Sequence, residues 1–310
     1  MKPKSHYRKA IRDYYTRLCE QYVTEIRPYA KDGVVIVALA NWKYCPIAIN
    51  WGLSIHRQGI KNYAICALDR WTHWSLRRKN INSVYVKIKN NIYKSDHGYY
   101  TKHIVRIKTE LPYSFIKSGI DVLLSDVDLV WMKDPLPEHI NNAPSEFDII
   151  ASGGREKARR DYNDNQYDKM AIEANIAREN VRVLCGGWYF VRSRPATVAF
   201  FDKVTRQIYE KEGRSSWFWQ SDQRTINHLF CQMLPTITAS RPHGAIDYAS
   251  DQLKIRILSQ SIILRAGSPS TFITPEEKTL LKSAYVIHPL SRKRSRSGVK
   301  PLQTLSLIHI

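Results

Sequence analysis

Residues 119–135 read GIDVLLSDVDLVWMKDP. The apolar run Val122-Leu123-Leu124 has the length and composition of a strand that is buried on both faces. Two carboxylates one residue apart, Asp126 and Asp128, follow this run almost directly. An Asp-x-Asp triplet is common in turns that cap a helix, but ligands bind at the carboxyl ends of strands in a parallel sheet. The position after a buried strand therefore favours a ligand site.

A divalent cation is the ligand that these two carboxylates suit best. Mg²⁺ and Mn²⁺ prefer oxygen ligands, and one carboxylate can bind the metal while the other holds a metal-bound water or a ribose. A cation that bridges two phosphates neutralises the charge that grows on a departing diphosphate. We therefore predict a site for Mn²⁺ or Mg²⁺ at Asp126 and Asp128.

Four more strand-like runs flank this stretch, at residues 34–39, 63–68, 148–151 and 188–191. Helical spacing of apolar residues at 47–58 separates the first two runs. Strands that alternate with helices predict crossover connections, and hence an α/β fold with one Rossmann-like domain and a mainly parallel central sheet flanked by helices. Asp69 follows the second run, so we expect it at the same edge of the sheet as Asp126.

Residues 5–29 carry apolar and aromatic side chains at helical spacing, and Pro28 closes the pattern. We predict an N-terminal helical extension over residues 1–30, packed outside the main sheet. The single large domain then covers residues 31–310 and includes a basic segment at 291–300. Neither an internal repeat nor a long Gly/Ser/Pro linker supports a second domain.

The chain is strongly basic, with 48 Lys and Arg against 28 Asp and Glu and a net charge of +20. Such a surface attracts nucleotides, nucleic acids and acidic lipid headgroups. The basic residues are spread from Lys2 to Lys300, and no zinc finger, basic zipper or aromatic RNA-binding signature accompanies them. We read the charge as a general attraction for anions, which makes nucleic acid an unlikely partner.

Five scattered cysteines with no Cys-x-x-Cys pair argue against a disulfide framework and against a zinc site. The first fifteen residues lack the apolar core of a signal peptide, and no stretch approaches about 18 consecutive apolar residues. These features predict reduced thiols, no transmembrane segment and a cytoplasmic location, with a bacterial or viral setting.

The stretch at 119–135 resembles the nucleotide-diphospho-sugar transferases typified by plant cell-wall arabinosyl-, xylosyl- and galactosyltransferases. In these proteins a glycine and a hydrophobic run lead to an aspartate pair, a tryptophan and Asp-Pro. Further similar stretches follow in the same order along the chain. They are Asn50-Trp51, Ala67-Leu68-Asp69, the run GGWYFVRS at 186–193, and Ser221-Asp222-Gln223 with Asn227.

The resemblance implies a GT-A fold, a nucleotide-sugar donor, with a UDP-sugar favoured, and a glycan or other hydroxyl acceptor. It implies that Asp126 and Asp128 hold Mn²⁺ or Mg²⁺ and the donor diphosphate, and that Asp69 lies near the base or ribose. It also implies that a turn at Gly186-Gly187 brings the backbone close to the donor sugar, since glycine has no side chain. The alternative is that these glycines only shape the start of a strand.

The pair Asp222-Gln223 is similar to the Asp-Gln element of glycogenin-like and lipopolysaccharide galactosyltransferases, which lies beside the anomeric carbon. The similarity implies a catalytic role, with retention of configuration, because the departing phosphate can take the acceptor's proton. A helix N-cap is the alternative interpretation of Asp222. Trp217 and Trp219 precede the pair, and we expect them to stack on the acceptor sugar.

His288 follows the apolar run at 284–287. Related transferases place a third metal ligand, a histidine, near the end of the domain, and a Gly and a Lys after it contact the phosphates. The resemblance therefore implies that His288 binds the metal and that Lys300, after Gly298, binds the donor. The nine residues between His288 and Gly298 depart from the family's spacing.

Three hypotheses follow, and a metal-dependent glycosyltransferase is the leading one. A basic nucleic-acid-binding protein is the second, since the net charge would support it. A transferase scaffold that has lost catalysis is the third, and the presence of Asp126, Asp128, Asp222 and Gln223 argues against it.

Overall fold

The computed structural model describes residues 4–87, 97–141, 145–153, 183–210, 222–233, 236–240, 245–259, 262–264 and 284–287. Within these ranges a nine-stranded sheet carries helices on both faces, and three short strands form a second sheet. None of the described helices is long and apolar enough to cross a bilayer.

The first half of the chain builds the parallel part of the large sheet. Its elements are α1 (Lys4–Ile26), β1 (Val34–Ala40), α2 (Cys45–Arg57), β2 (Tyr63–Ala67), α3 (Arg70–Arg77), β3 (Ser83–Tyr85), α4 (His97–Lys117) and β4 (Asp121–Ser125). Strands β3, β2, β1 and β4 are neighbours in this order, and all their ladders are parallel. Their carboxyl ends consequently lie along one edge of the sheet.

The second half extends this sheet and adds the small one. Its elements are β5 (Val130–Trp131), β6 (Ile149–Gly153), β7 (Leu184–Val191), α5 (Pro195–Glu210), α6 (Asp222–Gln232), β8 (Thr236–Ser240), β9 (Ile246–Ala249), β10 (Lys254–Leu258), β11 (Ile263–Leu264) and β12 (Val286–Ile287). The described sheet has the order β3-β2-β1-β4-β7-β6-β10-β9-β8. Strands β7 and β9 run antiparallel to their neighbours, and the other seven share one direction.

The predicted α/β fold with a mainly parallel sheet is confirmed. The five strand-like runs correspond to β1, β2, β4, β6 and β7, and the helical pattern at 47–58 corresponds to α2. The antiparallel direction of β7 was not predicted, because a strand buried on both faces has the same apolar composition whichever way it runs.

Two short elements that follow β2 were not predicted from the sequence. Residues 70–77 form α3, and residues 83–85 form β3, the edge strand of the sheet. Helix α3 has only eight residues and buries only Thr72 and Leu76, so it is too short for a helical pattern to be recognised in the sequence. The charged stretch at 155–180 lies outside the described residues.

Two apolar cores cover the two faces of the sheet, because successive side chains of a strand point to opposite sides. Val35 and Val37 of β1 face a core shared with α1, α4, α5 and α6. Ile36 and Ala38 face the other core, which includes Trp51 of α2 and is shared with α3 and the small sheet.

The predicted N-terminal helix is present as α1, and a 3₁₀ turn at Arg27–Tyr29 contains Pro28. The helix packs on one face of the main sheet, where the Tyr22 hydroxyl donates to the carbonyl oxygen of Ala67 at 3.0 Å. The domain boundary near residue 30 stays a prediction.

A buried ionic cluster joins α1 to α4 and α5. The Arg12 guanidinium lies 2.7 Å from the Asp202 carboxylate and 3.9 Å from that of Glu110, which is fully buried. Burial raises the pKa of Glu110 to about 7, against the opposing effect of Arg12. The folded protein therefore binds this proton more tightly than the unfolded chain does.

We predict that Glu110→Gln changes the pH dependence of stability. The folded pKa of about 7 lies above the ordinary value of 4.5, so the contribution of Glu110 is most favourable below pH 4.5 and declines as the pH rises towards 7. The free energy of unfolding of the variant should rise relative to wild type across this window, by at most about 3 kcal/mol. Urea unfolding at several pH values measures the difference, and a constant difference would contradict the prediction.

Candidate site at the carboxyl edge of the sheet

The candidate site lies where β1, β2 and β4 end. Asn41 directly follows β1, Asp126 directly follows β4, and Asp69 is the second residue after β2. Because β7 runs antiparallel to β4, the beginning of β7 lies beside the end of β4. The Asp126 amide donates to the carbonyl oxygen of Gly187 at 2.7 Å, which fixes the backbone that carries the aspartate pair.

The structure brings Asp126 and Asp222 together through a lysine that was not predicted. The Lys108 ammonium lies 2.7 Å from Oδ1 of Asp126 and 3.3 Å from Oδ2 of Asp222. The Asp222 side chain is only 10% exposed, whereas Asp126 is 35% exposed and opens towards solvent. One cation thus joins the carboxylate after β4 to the first residue of α6.

The electrostatics of this bridge keep Lys108 protonated. Burial by itself lowers the pKa of Lys108, but the charges of Asp126 and Asp222 outweigh burial and hold the pKa well above its ordinary value. Burial, reinforced by the charge of Asp222, also raises the pKa of the adjacent Tyr189 phenol. Close pairing of Lys108 with both carboxylates offsets the cost of burying its charge.

Lys108 projects from α4, which contains Pro112. A proline cannot donate the helical hydrogen bond to the carbonyl four residues earlier, and here that carbonyl belongs to Lys108. Helix α4 continues through Pro112, and the carbonyl left without its helical hydrogen bond belongs to the residue that contacts both aspartates, which is a sequence signal that could have pointed to Lys108. The basic character of the segment did not distinguish Lys108 from its neighbours.

Gly186 and Gly187 lie within β7, so the prediction that they form a turn is wrong. A Cβ atom on Gly186 would lie 3.0 Å from Cβ of Gln223 and 3.2 Å from Oδ2 of Asp222. The missing side chain therefore allows the start of α6 to pack directly on β7. A role of either glycine in binding a donor stays a prediction.

Two amide side chains attach α6 to β7. The Gly186 amide donates to Oε1 of Gln223 at 3.0 Å. The Asn227 side chain accepts from the Leu184 amide at 3.0 Å and donates to the Leu184 carbonyl at 2.8 Å. The predicted element Asp222-Gln223 with Asn227 is thus a connected unit, and Asp222 is the first residue of its helix.

Tryptophans in the resembling stretches support the loop after β4. The Trp51 indole donates to Oγ of Ser125 at 3.0 Å, and Oγ of Ser125 donates to the Asp126 carbonyl at 3.2 Å. Trp51 also contacts Trp131 edge to face, with ring centroids 6.4 Å apart. Both rings are fully buried in the core and are therefore held in place, so they fix the position of the loop that carries the aspartate pair.

Asp69 has a structural role at the end of β2. Its carboxylate accepts hydrogen bonds from the amide and the hydroxyl of Thr72, so Asp69 is the N-cap of α3. The same carboxylate accepts a hydrogen bond from the Trp42 amide at 2.7 Å. These bonds tie the segment after β1 to the start of α3. Asn41 lies between Asp69 and Asp126 in the sheet order, and its buried side-chain nitrogen makes no hydrogen bond within the described residues.

The side chains at this edge of the sheet include the oxygen ligands that a hard divalent cation prefers. Asp126 and Asp128 supply carboxylate oxygens, which Mg²⁺ and Mn²⁺ prefer. The part of the chain that the structure describes contains no group of three His, Cys, Asp or Glu residues that could hold a metal. The predicted third ligand, His288, lies outside the described residues, as do Lys300, Trp217 and Trp219.

A mainly parallel sheet with acidic side chains at its carboxyl edge defines an α/β protein that binds its ligand at that edge. The model of the family described as nucleotide-diphospho-sugar transferase matches residues 58–293. Because this match spans well over half of the chain, the protein belongs to the nucleotide-diphospho-sugar transferase family.

Two curated relatives come from Arabidopsis thaliana. Beta-arabinofuranosyltransferase RAY1 is 27% identical over 180 residues, which are 57% of this chain and 30% of that protein. Arabinosyltransferase RRA1 is 26% identical over 234 residues, which are 74% of this chain and 55% of that protein. The chain thus spans about half, or less, of the length of these relatives.

Among solved structures, the chain resembles mouse xyloside xylosyltransferase 1 in its apo form. The TM-score is 0.51 with 9% identity, and the match covers 87% of this chain and 98% of the mouse chain. At this identity the likeness bears on the fold alone, and the expectation of a GT-A fold is confirmed.

We predict that Lys108→Met destabilises the protein by about 3 kcal/mol, because it leaves Asp222 buried without its cation. The double variant Lys108→Met/Asp222→Asn should recover much of this loss, since no unpaired buried charge remains. Urea unfolding of the wild type, both single variants and the double variant measures the coupling. Additive effects of the two substitutions would contradict the bridge.

Proposed function

We propose that the protein is a metal-dependent glycosyltransferase that moves a sugar from a nucleoside-diphosphate donor to a hydroxyl group of a glycan or another acceptor. The observation that carries the proposal is the bridge of Lys108 between Asp126 and Asp222. It brings the aspartate pair after β4 next to the Asp-Gln element of α6, in a chain of the nucleotide-diphospho-sugar transferase family.

The nucleotide end of the donor binds where β1 and β2 end. Asp69 and Trp42 meet there through a hydrogen bond. The buried amide nitrogen of Asn41 supports this assignment, since buried donors normally have partners and an oxygen of a base or ribose would provide one. UDP is the nucleotide that we favour.

Asp126 and Asp128 would hold Mn²⁺ or Mg²⁺, with His288 as the third ligand, and Lys300 would contact the phosphates. The metal would neutralise the negative charge of the departing diphosphate. Asp126 shares its carboxylate with Lys108, so the protein's own cation adds to the positive potential at the same place.

Asp222 and Gln223 lie beside the anomeric carbon during transfer, and the Asp222 carboxylate stabilises the positive charge that develops there. The bond between the anomeric carbon and the phosphate oxygen breaks, and a bond to the acceptor oxygen forms on the same face of the sugar. The departing phosphate takes the proton of the acceptor hydroxyl, which gives retention. Trp217 and Trp219 stack on the acceptor sugar.

The names of the relatives suggest which donor to test first. Both Arabidopsis proteins are named as arabinosyltransferases, so a UDP-pentose, and UDP-arabinose in particular, is the first candidate.

All five cysteines are buried free thiols, which supports the proposed cytoplasmic setting.

We predict that one or more UDP-sugars raise the melting temperature of the protein in the presence of Mn²⁺, and that Asp128→Asn abolishes this increase. A panel of UDP- and GDP-sugars with and without Mn²⁺ measures the shift, together with slow hydrolysis of the donor. Asp251→Asn, at an exposed turn between β9 and β10, is the matched control and should behave as wild type. The same panel is repeated with Mg²⁺, and the proposal fails if no sugar nucleotide stabilises the protein with Mn²⁺ or with Mg²⁺.

We predict a different effect for Asp222→Asn, which should lower kcat by about 10²-fold while donor binding stays nearly unchanged, because the charge acts mainly on the transition state. Gln232→Ala, at the exposed far end of α6, is the control and should leave both quantities unchanged. Steady-state kinetics and thermal shift with the donor found above provide the measurements. A loss of donor binding that equals the loss of kcat would assign Asp222 to binding instead.

A further inference from the structure

The outer surface of α2 and α3, with the turn that precedes α2, carries an unusual set of exposed apolar side chains. We call this surface the α2–α3 face. Every large hydrophobic side chain that is exposed in the described part of the chain belongs to it, with exposed fractions from 37% to 59%. The five residues are Trp42, Tyr44, Leu53, Trp71 and Trp74.

The same segment is strongly cationic. Residues 41–87 contain eight Lys and Arg residues against a single acidic residue, Asp69, which gives a local net charge of +7. Asp69 is engaged with the Trp42 amide and with Thr72. Exposed cations on or next to the two helices include Lys43, Arg57, Arg70, Arg77, Arg78 and Lys79.

Indoles and cations are interleaved on α3. Trp71 and Trp74 are three residues apart, so they are neighbours on one side of the helix. The Arg78 guanidinium lies 4.5 Å from the centre of the Trp74 ring, and the Lys43 ammonium lies 5.5 Å from that of Trp42. A cation therefore already covers one face of two of these rings.

We propose that the α2–α3 face binds the surface of an anionic lipid membrane. Indole rings have an apolar body and a polar N–H, and they favour the headgroup region, while Lys and Arg next to them attract acidic headgroups.

A nucleic acid or an acidic glycan fits this face less well. Both are held by stacking of bases or sugar rings on open aromatic faces, but Arg78 and Lys43 cover one side of their indoles. Leu53 on α2 is an exposed aliphatic side chain, so it offers no ring on which a base or a sugar could stack. In a membrane, the Leu53 side chain would insert between the lipid headgroups.

The location of the face relates it to the candidate site. Helix α3 begins directly after Asp69, at the edge of the sheet where β1, β2 and β4 end. Binding of the α2–α3 face would hold this edge close to the lipid headgroups. The enzyme would then meet acceptors at a membrane surface.

Flotation with lipid vesicles tests the proposal. The full-length protein should bind phosphatidylcholine vesicles that contain phosphatidylserine, should bind pure phosphatidylcholine vesicles far more weakly, and should be released by salt. Each cation near an anionic surface contributes roughly fivefold to binding, so Arg77→Glu/Arg78→Glu should weaken it by more than about tenfold. Trp71→Ser/Trp74→Ser should also weaken binding and should reduce the residual binding at high salt.

The matched control is Lys9→Glu/Lys203→Glu, which makes the same change in net charge at exposed positions of α1 and α5, across the sheet. It should lose much less binding than the α3 variants, and thermal melting should show that all variants are folded. Equal losses in the control, or no binding of wild type to phosphatidylserine, would overturn the proposal. Tighter binding to polyuridylate or heparin that the α3 variants abolish would assign the face to a polyanion instead.

Discussion

The arrangement of the candidate site depends on one buried cation. Lys108 lies between Asp126, which follows β4, and Asp222, which begins α6. Two neighbouring carboxylates repel each other unless a positive charge separates them, and the Lys108 ammonium group supplies that charge. The bridge connects α4, the loop after β4 and the start of α6, although Lys108 and Asp222 are more than a hundred residues apart in the sequence. It therefore couples the packing of α4 and α6 to the loop that carries the aspartate pair.

The two faces of the sheet have different roles around this bridge. On one face, α1, α4, α5 and α6 form an apolar core. Two of these helices, α4 and α6, carry Lys108 and Asp222. On the other face, Trp51 and Trp131 hold the loop after β4, and α2 and α3 present an aromatic and cationic surface to solvent. The small sheet formed by β11, β12 and β5 adds to this second side.

Much of the fold was predictable because strands buried on both faces have a strong local signature. The runs that became β1, β2 and β4 are short and apolar, and helical spacing separates the first two. The acidic residues after them were predictable for the same reason, since strand ends are visible in the sequence. Short elements such as α3 and β3 were missed, because eight and three residues are too few for a periodic pattern to be recognised.

The sequence by itself determined the α/β architecture, the position of Asp126 and Asp128 after β4, and the family to which the chain belongs. Only the tertiary structure decided that α6 packs on β7 at Gly186, that Asp69 accepts a hydrogen bond from the Trp42 amide, and that Lys108 joins Asp126 to Asp222. The physical reason is the range of the interactions. Strand patterns and motifs depend on residues that are near one another in the chain, whereas these contacts depend on packing between distant segments.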